Sequence, residues 1–251
     1  MNPVGQAALL VSFPVAAGAI GSIVAAVRRP CPRLVSGIQH FAAGVVIAAL
    51  AGELLPDLRH EGNLGWAATG FSVGVALVLC LAAYGRRLDG QQESTPAPST
   101  GDRMAAAIPI GLLVTVAIDL LIDGVLVGLG AQLGSTQALI LTIALTLEIL
   151  FLSLSLAAEL NDRGLSSRRA ALTCTALGMS TAIGAVTAAA LLSGVGPAVL
   201  AFVLAFGAAA LLYLAVEELL VEAHEQTETT LLSAMFFAGF LAIYVLAELG
   251  G

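Results

Sequence analysis

The sequence predicts an all-α membrane protein of eight transmembrane helices, with an inverted repeat of spans 1–3 and 6–8 around central spans 4 and 5. Three observations carry this expectation. Of the 251 residues, 59% are hydrophobic and only 11% charged, whereas an ordinary soluble domain has about 25% charged residues. The mean hydropathy is +0.98, and the apolar residues gather into eight runs of the length that crosses a bilayer core, about 20 residues. Spans 2 and 7, finally, carry one residue pattern in opposite directions.

The runs are 6–27, 36–58, 65–85, 104–131, 137–160, 168–193, 197–223 and 230–249. Short breaks rich in polar or turn residues part most of them, including RRPCPR, RHEGNLG, NDRGLSSRR and SGVGP. Lipid offers no partner to a bare peptide group, so each run is expected as a helix. The opening MNPVGQAALL has neither a basic n-region nor a small-residue cleavage site, so it reads as the start of span 1 rather than a cleaved signal. One transporter-like domain, 1–251, is expected, with 86–103 as a flexible cytoplasmic loop between spans 3 and 4 because Ser, Thr, Pro, Gly and Gln dominate there.

Charge sets the orientation. All ten basic residues are Arg. Arg28, Arg29 and Arg33 follow span 1, Arg86, Arg87 and Arg103 follow span 3, and Arg163, Arg168 and Arg169 follow span 5, with Arg59 alone on the opposite side. The positive-inside rule places these three loops in the cytoplasm and both termini outside, in a cell membrane of the bacterial inner type. A net charge of −7 without any Lys excludes a nucleic-acid partner. Cys31, Cys80 and Cys174 form neither a CxxC pair nor an even disulfide framework.

A carboxylate at the bilayer centre costs about 2.5–3.5 kcal/mol, so an acid there marks a functional site. Asp119 and Asp123 lie mid-span 4, one turn apart on one helix face, and Glu148 lies mid-span 5, the antiparallel neighbour. No Lys or Arg stands at comparable depth to pair with them. Three converging acids repel one another unless a cation or protons sit between them. The pattern therefore points to a bound cation, against the competing reading of protonated acids hydrogen-bonding helix to helix. Gly124 and Gly128, one turn apart, let another helix come close. Ser180 and Thr181 in span 6 are neutral oxygens within reach of such a site or simple packing contacts.

The repeat adds acids at both mouths. Span 2 runs from Phe41 to Glu53-Leu-Leu-Pro-Asp57, and span 7 from Phe206 to Glu218-Leu-Leu-Val-Glu222, with equal spacing from Phe to Glu. Inverted repeats with a site between the halves are a common transporter plan. Glu53 and Asp57 then mark the outer mouth, and Glu217, Glu218 and Glu222 the inner one, with His60 and His224 just beyond the same helix ends. An intramembrane enzyme is disfavoured, because both aspartates come from one helix and no basic residue stands by to hold a lipid phosphate.

Together these motifs resemble the ZIP family of divalent-metal transporters. The likeness rests on Phe41-Ala-Ala-Gly through Glu53-Leu-Leu-Pro-Asp57, on Asp119-Leu-Leu-Ile-Asp123-Gly124 with Gly128, and on Leu212-Tyr213 through Glu217-Glu218-Leu-Leu-Val-Glu222-Ala-His224-Glu225. It implies eight spans, outward termini, a central metal site on spans 4 and 5, and a chain able to pair as a homodimer in the lipid bilayer. It implies no prosthetic group; the divalent metal ion is cargo. Carried over, the family's span 4 His falls on Asp119, its acid on Asp123 and the polar residue between on Leu120; in span 5 its His or Gln falls on Leu147, its acid on Glu148, and its Pro and second acid on Leu150 and Phe151. The resemblance implies zinc. An oxygen-only ligand set instead suits manganese or ferrous iron. The apolar residues at 120, 147 and 151 leave open an alternative, a ZIP-like binding or regulatory subunit that no longer transports.

Overall fold

A computed structural model describes residues 2–27, 31–60, 63–93, 110–133, 135–224 and 229–250, and among them every regular element is helical. The helices are α1 (Pro3–Val27), α2 (Pro32–Ala49), α3 (Leu55–His60), α4 (Leu64–Glu93), α5 (Ile110–Leu133), α6 (Ser135–Asp162), α7 (Ser167–Leu191), α8 (Pro197–Tyr213), α9 (Leu220–Ala223) and α10 (Thr230–Gly250). A π-helical turn, Leu50–Leu54, joins α2 to α3, and a second, Leu214–Leu219, joins α8 to α9. Among the described residues, eight helical stretches are long and apolar enough to cross a membrane, as expected.

Local chemistry sets the ends. α2 and α8 each start on a proline, Pro32 and Pro197, where the missing N–H is one the first turn could not use. α6 stops in a Schellman motif: the Leu165 N–H donates to the Leu160 carbonyl and the Gly164 N–H to that of Asn161, both at 3.0 Å. Gly164 takes the φ of 96° this turn requires. Leu160 and Leu165 pack in the same apolar cluster, the hydrophobic contact that accompanies the motif.

One expectation is corrected. The stretch 86–103 does not begin as a loop, because α4 continues through Glu93. Arg, Leu, Gln and Glu are good helix formers and no proline intervenes before Pro96. Residues 94–103 lie outside the described residues, as do 104–109, the expected start of span 4.

The inverted repeat is built into the packing. α2 lies along α10, and α8 along α4. Gly239 of α10 has no room for a Cβ against the Phe41 carbonyl, and Gly74 of α4 has too little room for one against that of Phe206. The offset that carries Phe41 to Phe206 also carries Gly74 to Gly239, and it lays the first π turn over the second. In the middle, α1 packs on α6 and α7 packs on α5, so the two central spans each lean on one half of the repeat. α4 and α10 are the least buried spans and form the outer rim.

Candidate metal centre

The centre is set by how closely α5 meets α7. Gly124 presses its backbone on the Thr181 carbonyl, Gly128 on that of Ala185, and Gly184 on that of Leu121, with no space for a side chain at any of the three. This is the small-residue packing that brings membrane helices to backbone contact. It holds the turn bearing Asp123 in place, and α6 also packs against α5.

On the facing surfaces of α5 and α6, Asp119, Asp123 and Glu148 each offer one carboxylate oxygen, and these three atoms lie within 4.8 Å of one another. Asp123 is 2% exposed and Glu148 1%, while Asp119 is partly buried. At such separations two unit negative charges repel by about 3 kcal/mol, taking 4.8 Å and an effective dielectric constant of about 20. One divalent cation among them converts the repulsion to attraction, and hard oxygen donors at this spacing are what such an ion takes. Leu120 and Phe151 are buried in apolar clusters, and Leu147 packs against two. The three carboxylates are therefore donors enough for one ion. Thr181 is fully buried beside Gly124, and its hydroxyl makes no hydrogen bond among the described residues. Ser180, its neighbour, is partly buried.

The other acids are placed differently. Glu53 is 9% exposed and sits in the first π turn, which packs against both α6 and α8. Glu217 sits in the second π turn and is exposed. The backbones of Asp57, Glu218 and Glu222 fall in α3, the second π turn and α9, but their side chains, like that of His60, lie outside the described residues. The structure thus gathers Asp119, Asp123 and Glu148, and Glu53 and Glu217 are not among the acids whose oxygens all lie within 4.8 Å of one another.

Sequence reasoning missed the two π turns. Single π turns occur mostly where an α-helix carries function, and here both fall on the acids of the repeat. Glu53 and Glu218 stand at equivalent positions, which was the available signal. It also missed His40, buried in α2 at 3% exposure.

No curated protein matches the chain. A family model described as "ZIP Zinc transporter" matches residues 87–247. The match covers the second half of the repeat and both central spans, and the packing symmetry extends the same plan over spans 1–3. With most of its length matched and three carboxylates converging between α5 and α6, the chain belongs to the ZIP zinc transporter family, whose members move metal ions across membranes.

Proposed function

We propose that this chain carries a divalent cation across the membrane by alternating access, holding it mid-way between Asp119, Asp123 and Glu148. The observation that supports this most is the convergence of three carboxylate oxygens within 4.8 Å on two neighbouring spans. In this reading Glu53 and Asp57 admit the ion at one mouth, and Glu217, Glu218 and Glu222 release it at the other. The two halves related by the Phe41–Phe206 offset rock about the central site, as inverted repeats do. The Arg distribution favours a topology with both termini outside the cytoplasm, in a cell membrane of the inner type. The family prior favours zinc, and the all-oxygen donor set favours manganese or ferrous iron. When the dication leaves, uptake of protons relieves the mutual repulsion of the emptied carboxylates, so counterflow of protons belongs to the proposal.

The test is uptake of zinc, manganese and ferrous iron into proteoliposomes, with a pH-sensing dye inside, for the wild type and Glu148→Ala. We expect saturable uptake of at least one ion, abolished in the variant. A flat response to the whole panel by the wild type overturns the proposal and favours the non-transporting binding subunit.

A further inference from the structure

Away from the carboxylate cluster, the start of α2 and the end of α9 are tied together. The Ser36 hydroxyl donates to the Ala223 carbonyl at 2.7 Å, a buried contact between segments far apart in the chain. One turn along α2 from Ser36 lies His40, and directly after Ala223 lies His224. Their ring centres are 5.0 Å apart and the ring planes tilt by 53°.

Each ring is held in one orientation by its own helix. His40 Nδ1 lies 2.8 Å from the Ser36 carbonyl, and His224 Nδ1 is hydrogen-bonded to the Leu220 carbonyl. A carbonyl only accepts, so Nδ1 is the donor in both rings, and in the neutral ring Nε2 carries the lone pair. Metal-binding histidines are usually prepared in this way, with one nitrogen donating to a backbone carbonyl while the other faces the ion. Two imidazoles that share an ion at about 2.0–2.1 Å in tetrahedral geometry hold their ring centres roughly 5 Å apart, with tilted planes. Stacking alone explains neither the paired Nδ1 bonds nor the burial of a polar ring at 3% exposure.

We infer that His40 and His224 form a second metal site, an imidazole pair taking a divalent transition-metal ion of the zinc type at the end of the bundle where α2 begins and α9 ends. Two protein nitrogens leave the remaining positions to water or neighbouring oxygens, which makes the site weaker and faster to exchange than a closed structural zinc site. Its nitrogen donors select borderline ions, unlike the oxygen-only central cluster. The role as a hand-over station for cargo rests on the transport reading above; the binding itself does not.

The experiment uses the full chain in lipid nanodiscs carrying Asp123→Asn and Glu148→Gln, so that the central cluster is disabled and the readout belongs to the pair alone. Zinc is titrated in and the bound ion examined by X-ray absorption. We expect bound zinc with imidazole scattering, and loss of that signature with at least a tenfold drop in zinc affinity in both His40→Gln and His224→Gln. His224 is exposed, so its variant keeps the test valid if the buried His40 cannot be replaced without unfolding. Of the three histidines in the chain only His60 remains, and His60→Gln is expected to change nothing. Absence of bound zinc in the disabled chain, or imidazole scattering that survives His224→Gln, overturns the inference. Uptake measured separately on Glu148→Ala reports on the central site, so the two proposals fail independently.

Discussion

Gly124 of α5 rests directly on the carbonyl of Thr181 in α7, one residue from the buried carboxylate of Asp123. Backbone contact between two spans is therefore what fixes one of the two fully enclosed carboxylates of the cluster. A side chain at position 124 has no flexible neighbour to push aside, because the obstructing atoms are main chain. We expect Gly124→Leu to force α5 and α7 apart and destabilise the protein by about 1–3 kcal/mol, the usual range for overpacking. A thermal-unfolding series in detergent checks the stability, and zinc titration on the still-folded fraction checks the site. An unchanged melting point would show that the helices separate at no cost, and that the contact does not set the ligand.

The same logic gives a paired test of the repeat. Gly74 and Gly239 are equivalent positions, each against the carbonyl of an equivalent phenylalanine. Gly74→Val and Gly239→Val should lower the unfolding temperature in the same direction and by similar amounts, each on the order of 1–3 kcal/mol. If one substitution is silent and the other severe, the two halves are packed by different rules.

Which parts of this were legible in the sequence follows from physics. The eight spans were, because lipid compels long apolar helices and the breaks carry Arg, Gly and Pro. Asp119, Asp123 and Glu148 were, because an acid inside hydrocarbon stands out against every neighbour. The π turns were not: apart from Glu53 the residues of Leu50–Leu54 are apolar or glycine, so a change of helical register leaves no change of pattern. His40 was not, since its partner His224 is brought near only by folding. The helical 86–93 stretch was hidden by the Pro- and Ser-rich residues that follow it.

Metal choice is open to a single substitution. The central cluster offers oxygen alone, and Asp119 is its least buried member. Asp119→His introduces one imidazole nitrogen and removes one negative charge. We expect the ratio of zinc to manganese affinity to rise, by roughly tenfold or more, because zinc prefers nitrogen donors and manganese does not. Competition binding in nanodiscs with both ions present reads this ratio directly. A ratio that stays constant would mean that position 119 does not touch the ion.

Glu53 separates passage from binding. It is buried in a π turn packed against α6, the helix that carries Glu148, yet it is not one of the three acids whose oxygens all lie within 4.8 Å of one another. A residue that lines the route without holding the resting ion should affect the rate of transfer more than the affinity. We expect Glu53→Gln, which keeps the shape and removes the charge, to slow uptake into proteoliposomes by roughly tenfold while leaving zinc affinity at the central site within about a factor of three. Stopped-flow uptake and equilibrium titration on the same preparation provide the two numbers. Equal losses in both would place Glu53 among the ligands, and no loss in either would reduce it to a buried polar contact between helices.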